Sequence, residues 1–117
     1  MKHLFIINEA PYGGEKAYNA LRLAMTIQKE HPQGQVLIFL MADAVSCALP
    51  SQNTPQGYYN IGRMLKGILL KDGKVKCCGS CVDARGIREL SLIEGVEISN
   101  MSELAQWSVE ADRAFVF

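Results

Sequence analysis

An excess of charge of either sign is missing from this chain, and so are long apolar stretches at its start. Twelve Lys and Arg residues balance twelve Asp and Glu among 117 residues, so no broad basic field exists to draw in nucleic acid or an anionic membrane. The opening Met1-Lys2-His3-Leu4-Phe5-Ile6-Ile7-Asn8 holds only four consecutive apolar residues. That is too few for a secretory segment or a membrane span, and a cytoplasmic location is expected. Histidine is scarce: His3 lies inside an apolar run and His31 stands before Pro32, and neither has metal-site spacing. A catalytic histidine is therefore not evident. No G-x-G-x-x-G follows the first apolar run and no Walker-type phosphate loop is present, which removes the obvious nucleotide ligands. Low-complexity stretches and internal repeats are absent too.

Cysteine is present, and most of it is in one place. Of four cysteines, Cys77, Cys78 and Cys81 fall within five positions. In a reducing compartment such a cluster reads as metal-binding, redox or sulfur-handling chemistry rather than as structural bridges. A chain of this length forms a single domain, residues 1–117, that buries about two-thirds of its extended surface and needs no disulfide scaffold.

Apolar runs alternate with helical periodicity. Strands are expected over Lys2–Asn8, Gln35–Met41, Lys74–Cys77, Gly95–Ile98 and Ala114–Phe117, with the first as the central strand. The Ala17, Ala20, Leu21, Ala24, Met25, Gln28 series marks one helix face, ended by Pro32 and Gly34. Asn60 caps a second helix with Ile61, Met64, Leu65, Ile68 and Leu69 inward, closed by Lys71-Asp72-Gly73. Gly86 stops a short helix after the cysteines. Asn100 with Glu103 opens a last helix carrying Leu104, Trp107 and Ala111 inward. Strands alternating with helices predict an α/β protein: three layers, α/β/α, around a five-stranded mostly parallel sheet of flavodoxin- or Rossmann-like type. The long connection from Ala48 to Gly57 has the length of a lid.

Open parallel sheets place their sites at the carboxyl ends of the strands. Three loops meet there: Glu9 to Gly14, Ala42 to Val45, and Cys78 to Gly86. An ordinary thiol with a pKa of about 8.5 is only ~3% thiolate at pH 7. A helix N-terminus contributes up to ~2 kcal/mol, enough to lower the pKa by about one and a half units and make roughly half of it thiolate. Cys78, at the end of the third strand with a helix opening near Gly79, is therefore the expected nucleophile, presented at the surface. Cys81, one turn in, is placed to resolve an intermediate on Cys78 by closing a disulfide. Arg85, four residues on, either holds an anionic sulfur or is a solvated charge. Tyr12 and Gly13 either shape a pocket wall for the substrate or serve as a packing tyrosine and a loop glycine. Asp43 is either a site acid or a cap. Cys47 and Cys77 read as core residues.

Ala10-Pro11-Tyr12-Gly13, Phe39-Leu40-Met41-Ala42-Asp43-Ala44-Val45, Gly57-Tyr58-Tyr59-Asn60-Ile61, Cys78-x-x-Cys81-x-Asp83-x-Arg85-Gly86 and Leu104-Ala105-Gln106-Trp107 occur in this order. Together they resemble the DsrE/DsrF-like family, most nearly its YchN-type branch, over essentially the whole chain. The resemblance implies a five-stranded parallel sheet and assembly into ring-like trimers or hexamers, and persulfide chemistry on a thiol requires no cofactor. Relatives of the DsrE and TusD branches carry sulfur as a persulfide on a cysteine eight residues before the Gly of an Arg-Gly pair. Cys78 stands eight before Gly86, so that role is implied for Cys78, with sulfur donor and acceptor proteins as partners. Cys81 matches the second cysteine of the YchN-type branch. Other readings are a thiol-disulfide redox protein using Cys78 and Cys81, a thiophilic metal on Cys77, Cys78 and Cys81, and an oligomeric interaction module.

Overall fold

The apolar runs of this chain can leave water only between layers of helix, and they do so in one sheet. The computed structural model describes all 117 residues, with a radius of gyration of 13.2 Å. In chain order the elements are β1 (Lys2–Ile7), α1 (Lys16–Glu30), β2 (Gln35–Leu40), a 3₁₀ segment (Ala42–Ala48), α2 (Ile61–Leu70), β3 (Lys74–Cys78), α3 (Gly79–Ala84), β4 (Val96–Ser99), α4 (Met101–Glu110) and β5 (Arg113–Val116).

The strand order is β4-β3-β2-β1-β5 and every pairing is parallel. Strands β1 to β4 are laid down in one direction, and β5 then lands on the far side of β1. With right-handed crossovers, that reversal puts α4 on the face opposite α1 and α2. The middle strand is β2, not β1 as the sequence suggests. A continuous apolar run marks a strand covered on both faces, and β1 is one, but such a run does not rank the interior strands.

Helix α1 buries Ala17, Ala20, Leu21, Ala24 and Gln28. Met25, expected inward, is 37% exposed. The Gln28 amide donates to the carbonyls of Ile68 (3.0 Å), which also accepts the Lys71 and Gly73 N–H groups, and of Lys71 (3.3 Å), tying α1 to the end of α2. At the start of α2 the Asn60 side chain accepts from the Arg63 N–H at 2.9 Å. The closing turn divides its work: Asp72 takes the left-handed conformation (φ 64°). Gly73 supplies room, since a Cβ there would lie 2.7 Å from the Ile68 carbonyl.

On the other face, α4 docks through Leu104 and Trp107. The Trp107 ring meets Phe39 of β2 edge-on, with centroids 6.1 Å apart, and the Lys76 ammonium of β3 sits 4.8 Å from the indole centroid. Asn100 caps α4, accepting from Glu103 N–H at 2.9 Å. The expected reciprocal bond is not made: the Glu103 carboxylate turns instead to Ser99 Oγ and Lys76 Nζ.

The Ala48–Gly57 connection begins inside the 3₁₀ segment. Its Gln52 amide donates back to the carbonyls of Ser46 and Leu49. The loop is thus fastened to its own base and does not lie as a lid bonded to the cysteines.

Candidate functional site

Strand β3 ends in Cys78, and the backbone turns there into α3. Cys78 is the N-cap residue (φ −63°, ψ 119°), and its Sγ accepts the Cys81 N–H at 3.3 Å. Sulfur here occupies the place of the usual Ser or Asp cap oxygen. The Ser80 hydroxyl is 3.3 Å from the same sulfur. Gly79 is required at the turn, because a Cβ would lie 2.9 Å from the Ser99 carbonyl of β4. Gly86, at φ 65°, ends the helical turn, its N–H bonded to the Asp83 carbonyl.

Burial acts on Cys78 first and pushes its pKa up. Hydrogen bonds from the Cys81 thiol, the Ser80 hydroxyl and the Cys81 and Ser80 backbone outweigh it, so the thiol is held below its ordinary value. Cys81 moves the other way, raised by burial and by donating its S–H to Cys78, with a partial offset from the Ala42 N–H. The two shifts run in opposite directions, so of the two thiols Cys78 is the one that ionises first. Local hydrogen bonds account for this, since a helix of six residues has little macrodipole to offer.

One expectation is corrected. Cys78 is not presented at the surface: only 7% of it is exposed, because β4 and Ser80 close around it, whereas Cys81 is half-buried. The remaining cysteines are core residues, as read. Burial pushes Cys77 to about 11 and Cys47 to about 12. Cys77 shares its register with Leu40 and Ile98. No group of three Cys, His, Asp or Glu side chains converges as a metal ligand set, and the three-cysteine cluster does not form one.

Arg85 does not reach sulfur. Its Nε and Nη2 donate to Asp43 Oδ1 at 3.0 and 2.7 Å, and its Nη1 to the Cys81 carbonyl at 3.1 Å. The guanidinium thus fastens the loop after β2 to α3. Asp43 is neither an isolated acid nor a helix cap; both Arg85 bonds fall on one oxygen, leaving Oδ2 free.

Tyr12, Gly13 and Asp43 do come together, in a cleft of about 670 Å³ also lined by Glu9, Lys16 and Phe117. Neither Cys78 nor Cys81 lines it, so the predicted site divides into a thiol pair at β3 and a cleft at β1. Tyr12 is anchored: its hydroxyl accepts the Ile61 N–H of α2 at 3.1 Å, and its ring packs against Tyr58 and Tyr59. Gly13 adopts φ 107°, a conformation that favours glycine.

Three contributors escaped the sequence reading. Ala42 holds the left-handed conformation (φ 50°) and directs its N–H to Cys81 Sγ at 3.3 Å. Arg88 forms a two-point pair with Asp83 and donates through Nη2 to the Gly79 carbonyl. Ser80 supplies its hydroxyl. The Asp83–Arg88 separation of five residues is not a helical spacing and works only because Gly86 reverses the chain. An alanine in the left-handed region carries no sequence signal.

The chain resembles known proteins over its full length. YchN of Escherichia coli K12 is 42% identical over 116 residues, covering 99% of this chain and 98% of that protein. The uncharacterized protein MJ0989 of Methanocaldococcus jannaschii is 41% identical, covering all of both. The crystal structure of the ychN protein from E. coli superposes with a TM-score of 0.94, at 42% identity and over 99% and 98% of the two chains. BT1422 of Bacteroides thetaiotaomicron shares the fold, with a TM-score of 0.66 at 16% identity over 98% and 94%. The model of the DsrE/DsrF-like family matches residues 1–117: this chain belongs to that family.

Proposed function

We propose that this protein accepts a sulfane sulfur on Cys78 and relays it as a persulfide. The family is one associated with sulfur relay. The observation that carries the reading is the capping bond, in which Cys78 Sγ accepts the Cys81 N–H at 3.3 Å. It favours a thiolate at the one cysteine that the strand delivers to the helix start.

The chemistry is a thiol exchange. Cys78 thiolate attacks the outer sulfur of a donor R–S–SH, the donor S–S bond breaks, and R–S⁻ leaves, giving Cys78–S–SH. An acceptor thiolate then attacks that outer sulfur and regenerates Cys78 thiolate. Alternatively Cys81, once deprotonated, attacks the inner sulfur, forming a Cys78–Cys81 disulfide and releasing hydrosulfide. No cofactor enters either route. The relay works in a reducing compartment, the cytoplasm, between donor and acceptor proteins, and in an assembly of three or six copies. No helix of the chain is long and apolar enough to cross a membrane.

Intact-mass measurement after incubation with a persulfide donor tests this. One added sulfur atom, lost in Cys78→Ser and retained in Cys47→Ser, is expected; an unlabelled wild type overturns it. The placement of Cys78 and Cys81 at one helix cap, with the Cys81 N–H on the Cys78 sulfur, favours one second reading, dithiol-disulfide redox. That activity would appear as turnover of a protein disulfide, abolished in both Cys78→Ser and Cys81→Ser, without sulfur on the mass.

A further inference from the structure

The largest cleft lies where the strand order reverses. Strand β1 feeds α1 and then β2 on one side, while β5 pairs on its other side. The cleft opens beyond the carboxyl ends of these two strands, between the loop after β1 and the end of β5. In open parallel sheets such a switch point is where ligands bind. Its volume of about 670 Å³ falls within the ~300–1,000 Å³ usual for small-molecule sites.

Charges of both signs line it unspent. Lys16 forms no ion pair, and the Glu9 carboxylate forms neither an ion pair nor a hydrogen bond. Although they share the cleft, they stand more than an ion-pair distance apart. The Glu9 carboxylate is not loose: it folds over Gly14, where a Cβ would overlap its Oε1. Asp43 spends one oxygen on Arg85. Tyr12 and Phe117 add apolar wall. One separated cation and two carboxylates suit a ligand that carries a carboxylate and an ammonium of its own, as the end of an amino acid does.

The span to the thiols limits the ligand further. The cleft opens at the end of β1, and Cys78 ends β3, with β2 between them. Two strand spacings amount to about 10 Å. The path crosses Ala42 and Asp43, which are bonded to Cys81 and Arg85 respectively. A free amino-acid thiol is too short to bridge it, whereas an extended peptide advances ~3.3–3.6 Å per residue, so a persulfide carried about two residues from the zwitterionic end, with its side chain and outer sulfur added, covers the gap.

We infer that the Glu9–Lys16–Asp43 cleft binds the zwitterionic end of a short peptide thiol, of which glutathione is an example, and so presents its persulfide to Cys78. The assignment rests on the sulfur-relay reading above. The exchange is the one already written: the Cys78 thiolate takes the outer sulfur, the peptide S–S bond breaks, and the peptide thiolate leaves.

Calorimetric titration with S-methylglutathione, which has no transferable sulfur, tests the site on the full chain. Saturable binding is expected, weakened at least tenfold by Lys16→Met and by Glu9→Gln, with circular dichroism confirming that both variants fold. S-methylcysteine should bind at least tenfold more weakly. S-methylglutathione should also slow the loading of Cys78 by glutathione persulfide several-fold while leaving its loading by inorganic polysulfide unchanged. Absent binding, binding indifferent to both substitutions, or equal binding of S-methylcysteine overturns the inference. If polysulfide loads Cys78 but S-methylglutathione does not bind, the cleft assignment fails and sulfur relay stands. If it binds but no donor loads Cys78, sulfur relay fails, and the peptide's role as donor falls with it.

Discussion

Cys78 and Cys81 are joined through a helix cap, with the backbone N–H of Cys81 3.3 Å from the sulfur of Cys78, and each thiol shifts the other in opposite directions, Cys78 down and Cys81 up. The lowered Cys78 value means that its thiolate persists below an ordinary thiol's pKa. Rates of iodoacetamide labelling, followed by peptide mass spectrometry against pH, should therefore place the Cys78 midpoint below that value. In Cys81→Ala the midpoint should move upward, since the S–H donor is lost while the backbone N–H remains. Cys47 and Cys77 should stay unlabelled until the protein unfolds. A Cys78 midpoint unchanged by Cys81→Ala would show that the thiol donor contributes nothing.

The left-handed Ala42 costs the fold of order 1–2 kcal/mol that glycine would not. Ala42→Gly keeps the N–H directed at Cys81 while removing that strain, and glycine offsets part of the gain through its greater freedom in the unfolded chain. Urea unfolding should show a stability equal to wild type or up to about 1 kcal/mol higher, and Ala42→Val should show a loss. A marked loss in Ala42→Gly would mean that the methyl group packs in a way the backbone argument ignores.

Asp43 and Arg85 are partly exposed, at 68% and 34% of their side chains, and an exposed pair of this kind contributes about 0–1 kcal/mol. Its effect is to hold a loop in place. A double-mutant cycle of Asp43→Asn and Arg85→Gln should give a small coupling energy by denaturation. Amide exchange in the 3₁₀ segment should nonetheless accelerate in either single variant.

His3 supplies a pH test away from the thiols. Its ring is buried with Nδ1 unpartnered. Burial, then Arg113 and the N-terminal amine, lower its pKa from 6.5, while Asp112 opposes them. Below pH 6.5 the unfolded chain binds a proton that the folded chain resists, so stability is full above that pH and falls as pH drops towards the folded value. His3→Gln should flatten the dependence of the unfolding midpoint on pH below about 6.5. An unaltered slope would place the acid sensitivity elsewhere.

Periodicity made the layers legible, because burial of a face is written in spacing: Ile61, Leu65 and Ile68 lie inward on α2, and Leu104 and Trp107 on α4. Strand ends moved by one residue, inward at Asn8, Met41, Gly95 and Phe117 and outward past Cys77, Ile98 and Ala114, where hydrogen-bond pairing rather than hydropathy decides. The capping role of Cys78 was readable from a thiol followed by glycine at the end of an apolar run. Its burial was not, since that depends on β4, twenty residues on, closing against Gly79. The partners of Arg85 were likewise hidden. A guanidinium chooses the nearest carboxylate in space, and Asp43 is forty-two residues away in sequence.

Trp107 is the only indole in the chain, and its ring is wedged between Phe39 and the Lys76 ammonium, two residues before Cys78 on the same strand. The native protein therefore carries its own optical gauge: tryptophan emission follows the docking of α4 onto the strand that delivers the thiol, and denaturation can be monitored there without a dye attached to any cysteine.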